Sequence, residues 1–101
     1  MVDIKVYVGA KAKFNADGVM IPTSVIWEDG HEYIIDKVTD VRQAAAMRAG
    51  GQGDRYTIWV NGRQSYLFFE RSTALTGNNI GRWFVERRER INQGHVRGRL
   101  A

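Results

Sequence analysis

A chain of 101 residues has room for one ordinary domain, and its content of 44% hydrophobic and 26% charged residues is typical of a folded globular protein. It contains no cysteine, which excludes a disulfide framework, a thiolate nucleophile and a cysteine-ligated zinc site. The net charge of +4 comes from the last twenty residues, because residues 1–81 hold nine basic and nine acidic side chains while residues 82–101 hold six arginines and two glutamates.

The first predicted element is an unusually long strand. From Ile4 to Phe14 apolar side chains alternate with polar ones, with the period of two that is typical of a strand with one buried face. Because Asp3 and three lysines interrupt this segment, it contains no apolar run long enough for a signal peptide or a membrane span. We therefore expect a soluble, cytoplasmic protein without a membrane partner.

Turn signals at short, regular intervals predict an antiparallel meander of hairpins. Each combines a glycine with the Asp or Asn before it, which supplies the positive φ angles of tight hairpins. The second strand contains Pro22, which cannot donate to a ladder, so we place it at an edge, a bulge or the strand start. The three turn signals are Asp17-Gly18, Asp29-Gly30 and Asn61-Gly62.

The middle of the chain predicts a third strand followed by a short helix. The strand runs from about His31 to Thr39, with a bulge near Asp36-Lys37. One or two helical turns follow at about Val41 to Ala49, where Asp40 can cap the helix and Gln43, three residues on, completes a capping box.

Three further strands complete the pattern. The fourth, RYTIWV, directs Tyr56, Ile58 and Val60 to the core and its alternate residues away from it. The fifth, QSYLFFE, is apolar on both faces in its middle and is therefore central or covered. The sixth runs from about Arg82 to Arg87, ahead of a frayed or helical tail.

These elements predict an all-β protein: a small, strongly bent antiparallel sheet or an SH3- or OB-like barrel of about six strands, with one short internal helical turn. The predicted domain spans residues 1–86, and a basic C-terminal tail spans residues 87–101. We expect seven side chains to be largely buried, namely Trp27, Tyr33, Ile35, Tyr56, Ile58, Phe68 and Trp83.

No catalytic or cofactor-binding pattern stands out. The glycines of GGQG, residues 50–53, follow the predicted helix and lead into a strand, which is the reverse of a phosphate-binding loop, so we interpret them as a helix stop and chain reversal. Asp29, His31 and Glu32 cluster at a turn but offer too few convergent ligands for a metal site. No serine lies in a nucleophile elbow or has an identifiable base. We predict a protein that is not an enzyme and binds no cofactor.

Three segments carry a resemblance to a known family: IPTSVIWEDGHEYIIDKV, GGQGDRYTIWVNGRQSYLFFE and GRWFVE. Their succession over residues 19–86 resembles a family of short, functionally uncharacterised bacterial proteins and domains, some of them encoded beside Y-family translesion DNA polymerases. The resemblance implies a small all-β barrel or bent sheet and a link to DNA repair, and it brings no catalytic residue. The chain departs from the family at Trp59, where the family tends to be polar, and its arginine-rich extension after Glu86 lies outside the match.

Cationic and aromatic side chains supply the chemistry of a nucleic-acid-binding accessory module. Two sets lie at outward-facing strand positions, and a third lies in the C-terminal segment, where the planar donor fork of arginine suits phosphate. We predict weak binding without sequence preference. The candidate residues are Lys5, Tyr7, Lys11 and Lys13 of the first strand, Arg55 and Trp59 of the fourth, and Arg82, Arg87, Arg88 and Arg90 of the C-terminal segment.

Other interpretations stay open. The strand lysines are also typical of edges protected against aggregation, and an arginine-rich end is often only a solvated face. A protein-interaction module or homodimeric adaptor without catalytic activity would use Trp59 or Trp83 as an anchor. Salt dependence separates the classes, because phosphate binding weakens steeply with salt and an aromatic-anchored protein contact does not.

Overall fold

The computed structural model of this chain describes residues 2–44, 53–72 and 79–89. Within these ranges every regular element is a β-strand, which confirms the predicted all-β class. The seven strands are β1 (Val2–Phe14), β2 (Met20–Ile26), β3 (Glu32–Ile34), β4 (Lys37–Ala44), β5 (Gly53–Val60), β6 (Arg63–Arg71) and β7 (Gly81–Glu89).

The strands form one antiparallel sheet that curls into a half-barrel, with the order β3-β2-β1-β7-β6-β5-β4. β3 and β4 lie at opposite edges, yet only two residues separate them in the chain. The amide of Ile35 donates to the Thr23 carbonyl of β2 at 3.0 Å, and the next amide, that of Asp36, donates to the Trp59 carbonyl of β5 at 2.7 Å. Two successive amides thus join one edge of the sheet to the other and leave less of each edge exposed.

The connection between β3 and β4 corrects the predicted third strand. The segment from His31 to Thr39 holds two strands, and the predicted bulge at Asp36-Lys37 lies at the break where the chain passes from one edge to the other. A separate register shift occurs inside β4, between Val38 and Asp40. The alternation of apolar residues could not distinguish a bulged strand from a strand that changes its neighbour, because both interrupt the period of two.

All three predicted hairpins are present, and their turns have the expected backbone geometry. Gly18, Gly30 and Gly62 have φ angles of 83°, 88° and 78°. Asn61 also has a positive φ, 51°, so Asn61-Gly62 is a two-residue turn that sets the register of β5 against β6.

β1 is long enough to serve two neighbours. Val2–Val8 pairs with β7, and Gly9–Phe14 pairs with β2. The register of the second half shifts between Lys11 and Ala12, at the position that faces Pro22, which confirms a bulge as the place for this proline. The division of β1 between two partners bends the sheet at its middle.

The predicted helix at Val41 to Ala49 is wrong over its first four residues, since Val41–Ala44 belongs to β4; residues 45–49 lie outside the described residues. Val41, Arg42 and Gln43 pair with consecutive residues of β5. The Asp40 carboxylate accepts from Arg42 Nε at 2.7 Å instead of capping a helix. Ladder hydrogen bonds along β5 therefore override the local helix propensity.

The core fills the inner face of the half-barrel. Tyr56 and Ile58 are each 3% exposed and Leu67 is fully buried. The Tyr56 hydroxyl crosses the interior and donates to the Met20 carbonyl of β2 at 2.9 Å, which links strands that are not neighbours in the sheet. The central cluster comprises Val25, Ile35, Tyr56, Ile58, Leu67 and Phe69, with Val8, Met20, Val38, Val60, Trp83 and Val85 packed against it.

Three residues predicted to be largely buried are only half-buried, namely Trp27, Tyr33 and Trp83, the last of which packs against the core cluster from β7. Trp27 and Tyr33 lie at the β2–β3 hairpin, where the Trp27 amide donates to the His31 carbonyl at 2.8 Å and the Tyr33 ring packs against His31 at 4.4 Å between centroids. β3 has three residues and lies at the edge of the sheet, so it brings too few neighbours to cover them. Ile35, Tyr56, Ile58 and Phe68 are buried as predicted.

β7 extends past the predicted domain boundary at residue 86. Its last three residues, Arg87, Arg88 and Glu89, pair with Ile4, Asp3 and Val2 of β1. The sheet therefore includes the first part of the segment predicted to be a tail, and residues 90–101 lie outside the described residues.

Candidate functional site

The outer face is the side that points away from the core on β4, β5, β6, β7 and the Val2–Val8 half of β1. Cross-strand partners share a face of a sheet, and the register places Tyr7, Phe84, Phe68 and Arg55 in one row across β1, β7, β6 and β5. Three strand spacings of about 4.8 Å make this row about 14 Å long. The first-strand and fourth-strand sets of candidate residues are therefore brought together on one surface.

A second, smaller apolar layer underlies the outer face. Phe84 is fully buried and Phe68 is 3% exposed, although both point away from the core. Their rings stack at 5.0 Å with an interplanar angle of 8°, and Tyr7 meets Phe84 edge-on at 5.9 Å. Aromatic pairs of this kind stabilise beyond the area they bury. The layer gives the polar side chains above it a firm base.

One carboxylate organises the cations beside Tyr7. Glu70 of β6 accepts from Lys5 Nζ at 2.9 Å and from the Tyr7 hydroxyl at 3.1 Å, and Arg82 of β7 lies 3.5 Å from its second oxygen. The hydrogen bond from Lys5 lowers the pKa of Glu70 below its ordinary value, and the same bond raises the pKa of Lys5. Both groups are therefore held in their charged forms.

Cations also lie over the aromatic rings of the outer face. The guanidinium of Arg82 is 3.8 Å from the centroid of Tyr7, and that of Arg55 is 4.7 Å from the centroid of Tyr66. Ammonium groups occupy the equivalent place over two further rings, with Lys5 Nζ 4.9 Å from Phe84 and Lys37 Nζ 5.0 Å from Trp59. With Lys5 Nζ also 5.8 Å from the centroid of Tyr7, five cation–π contacts lie on one face, against a usual density of about one per 70–80 residues.

The described outer face carries more positive than negative charge. Among the residues whose side chains the structure describes, the register gives it the cations Lys5, Lys37, Arg42, Arg55 and Arg82 and the carboxylates Asp40, Glu70 and Glu86. Five cations against three carboxylates leave an excess of two positive charges. A surface of this sign attracts polyanions and raises their association rate at low salt.

Three of the other predicted site residues, Lys11, Lys13 and Arg87, do not lie on the outer face. Lys11 and Lys13 lie on the half of β1 that pairs with β2, and Lys11 contacts Glu32 at 3.3 Å. Arg87 lies at an inner-parity position of β7 and contacts Glu28 at 3.1 Å. Arg88 pairs through its backbone with Asp3, which shares the parity of Lys5 and Tyr7, so its position belongs to the outer face. Arg90 lies outside the described residues.

Sequence reasoning missed four polar residues that make contacts on the outer face: Tyr66, Lys37, Arg42 and Glu70. Tyr66 could have been found, because the two-residue turn at Asn61-Gly62 sets the β5–β6 register and places Tyr66 diagonal to Arg55. Lys37, Arg42 and Glu70 had no such signal. Their contacts depend on how β4 pairs with β5 and on the meeting of β1 with β7, which is a long-range pairing.

A separate cavity of about 490 Å³ opens at one end of the half-barrel. Four apolar side chains at its rim are exposed: Phe14 by 64%, Val19 by 45%, Val41 by 45% and Ile80 by 60%. Arg71 and Asp54 form an ion pair of 2.6 Å on its wall. Burial raises the pKa of the Tyr56 hydroxyl, which lies deeper in the same cavity.

The described residues contain no helix able to cross a membrane. They also hold no group of three or more His, Asp or Glu side chains arranged to bind a metal ion. Comparison of the chain with protein-family models, curated proteins and solved structures found no match. The resemblance of residues 19–86 to the short bacterial family therefore stays a prediction.

Proposed function

We propose that this protein binds nucleic acid without sequence preference through its outer face and has no catalytic activity. The observation that supports the proposal most directly is the row of cations over aromatic rings, Arg82 on Tyr7, Arg55 on Tyr66 and Lys37 on Trp59. A ring below a guanidinium holds its plane while the N–H donors at its edge stay available to phosphate. The bacterial resemblance adds DNA repair as the expected context.

The arrangement favours reading of the phosphate backbone over reading of bases. Each of these rings has a cation over one of its faces, and the exposed side chains of Arg82 and Lys37 present charged donors to the solvent. Donors of this kind contact phosphates of any sequence, and such binding has dissociation constants of about 10⁻⁴ to 10⁻⁶ M at physiological salt. We expect similar affinities for single-stranded and duplex DNA.

Fluorescence anisotropy with labelled oligonucleotides at several salt concentrations tests this proposal. The double variant Arg82→Gln, Lys37→Gln removes two charges from the outer face, and Lys11→Gln, Lys13→Gln removes two from elsewhere as a matched control. The first should weaken binding and reduce the slope of log K against log salt by about 0.7–0.9 for each phosphate that is no longer neutralised, while the control stays close to wild type. Equal weakening in both variants, or no binding by the wild type at low salt, would contradict the proposal.

The second candidate function is a protein-interaction module, which the open end of the half-barrel favours. Four exposed apolar side chains around one cavity form the kind of surface that marks protein contacts. Size-exclusion chromatography with light scattering should then show self-association that Phe14→Ser abolishes. A monomer at all concentrations would contradict the homodimeric form of this candidate.

A further inference from the structure

We propose that Arg55, with Arg42 beside it, forms a subsite for a single phosphate group. The proposal rests on nucleic-acid binding by the outer face and identifies the point at which a phosphate is held. The half-buried cations differ in whether a carboxylate pairs with them. Of the side chains described, three cationic ones are half-buried: Lys5, Arg55 and Arg87.

Arg55 lacks the anion that the other two half-buried cations have. Lys5 contacts Glu70 at 2.9 Å and Arg87 contacts Glu28 at 3.1 Å. No described carboxylate forms an ion pair with Arg55, and its Nε is buried without a hydrogen-bond partner. Partial burial of a charge is costly unless an anion compensates it, and a guanidinium does not escape that cost by losing its proton.

The surroundings of Arg55 hold it in place without neutralising it. Tyr66 supports the guanidinium plane at 4.7 Å. Arg42 faces Arg55 directly in the β4–β5 register, and like charges in that position destabilise a sheet. The Asp40 carboxylate pairs with Arg42 Nε at 2.7 Å, and the Arg42 side chain is still 65% exposed. Two arginines thus face each other across neighbouring strands, and the Asp40 carboxylate pairs with only one of them, Arg42.

A phosphate group completes this arrangement. Its oxygens accept from two guanidinium forks at once, and arginine is the residue best suited to bidentate recognition of phosphate. The chemistry is shared by an internal phosphodiester and a terminal phosphomonoester. Because the row from Tyr7 to Arg55 spans about 14 Å, one backbone can contact the Arg82 cluster and this subsite together.

Titration with inorganic phosphate tests the subsite without any nucleic acid. The Arg55 Nε–H resonance in a nitrogen-15 NMR spectrum should shift saturably with phosphate, and Arg42→Gln should weaken that response about tenfold. Sodium chloride at the same ionic strength is the control. A resonance that responds equally to both salts would overturn the proposal.

Oligonucleotide binding provides the second test. Arg55→Gln should lower the affinity about tenfold and reduce the salt slope by about 0.7–0.9, whereas Arg63→Gln, which removes the same charge from an exposed residue at the start of β6, should change neither. Arg55→Lys keeps the charge but loses the planar donor fork, so the affinity of this variant should lie between that of the wild type and that of Arg55→Gln. Unchanged thermal unfolding confirms that each variant is folded.

The outcomes separate the subsite from the wider function. If Arg55→Gln binds oligonucleotides as tightly as the wild type, the subsite proposal is wrong, while nucleic-acid binding by the outer face still stands. A specific phosphate response without oligonucleotide binding supports the subsite and contradicts nucleic-acid binding. Oligonucleotides with and without a 5′ phosphate show which kind of phosphate occupies the subsite. Tighter binding of the phosphorylated form that Arg55→Gln abolishes indicates a terminal phosphate. Equal affinities of the two forms indicate an internal phosphate.

Discussion

At the scale of single residues, Glu70 connects the cations of the outer face to one another. It contacts Lys5, Tyr7 and Arg82, which come from two different strands, and it faces Arg82 in the β6–β7 register. Its carboxylate offsets some of the repulsion between Lys5 and Arg82, so the cluster is stable in the absence of a polyanion. Glu70 and a bound phosphate thus satisfy the same donors.

The Lys5–Glu70 pair predicts a specific pH dependence of stability. The pKa of Glu70 is lowered in the folded state, so its contribution is present above the unfolded pKa of about 4.3 and is lost as the pH falls through the folded value. The pKa of Lys5 is raised, so its contribution is present below about 10.4 and is lost as the pH rises through the folded value. Glu70→Gln should remove both dependences.

Chemical denaturation of the wild type and of Glu70→Gln across this pH range measures the effect. The difference in unfolding free energy between them should be greatest near neutral pH and shrink towards both extremes. Lys5→Met should reproduce the pattern. A difference that stays the same at acidic and neutral pH would show that the ion pair contributes nothing to stability.

At the scale of elements, Gly53 shows how closely β5 and β6 approach at the start of β5. A Cβ at this position would collide with the Phe69 carbonyl and lie 3.0 Å from its carbon, both of which are backbone atoms. Gly9 of β1 provides a matched control, because a Cβ there meets only the Ile26 side chain, at 3.4 and 3.6 Å.

Gly53→Ala should therefore destabilise the protein by about 1–3 kcal/mol, the usual cost of overpacking, because β6 has to move away. Gly9→Ala should change the unfolding free energy by much less. Urea denaturation followed by tryptophan fluorescence measures both. Equal effects of the two substitutions would contradict the close approach described here.

The position of Trp27 at the β2–β3 hairpin lowers the loss of unfolding free energy expected when this residue is truncated to Ala. A fully buried tryptophan costs about 3–5 kcal/mol when truncated to Ala, but Trp27 is only half-buried. The aromatic residue that is fully buried is instead Phe84, which lies on the outer face and not in the core.

At the scale of the whole molecule, the end of β7 determines where the chain can be shortened. Residues 87–89 pair with residues 2–4 of β1, so a chain that ends at Glu86 loses part of the central β1–β7 ladder. A chain that ends at Glu89 keeps that ladder and loses Arg90, Arg97 and Arg99. The two truncations therefore separate the stability of the sheet from the charge beyond it.

We expect the chain ending at Glu89 to unfold at the wild-type temperature and to bind oligonucleotides more weakly, with a smaller salt slope, because it has three fewer cations. The chain ending at Glu86 should unfold at a lower temperature. Thermal unfolding followed by far-UV circular dichroism, together with anisotropy, measures both properties. Wild-type stability in the shorter chain would show that the last three residues of β7 contribute nothing.

Local sequence determined much of this fold because hairpin formation is a local process. Each Gly at 18, 30 and 62 has the positive φ that its turn requires, and the alternation in β5 identified its buried face correctly. Arg55 and Trp59 could likewise be placed on one outward face from their spacing alone, because both lie on β5 and alternate residues of a strand share a face.

The tertiary structure decided what depends on contacts between distant segments. β1 pairs with β7 across some eighty residues, and only that pairing brings Lys5 and Tyr7 to Glu70 and Arg82. Pairing with β5 likewise made a strand of Val41–Ala44, since ladder hydrogen bonds outweigh a preference for helix of a few tenths of a kcal/mol per residue. Periodicity specifies which side chains share a face, whereas the order of strands in a curled sheet follows from burial that only the assembled half-barrel provides.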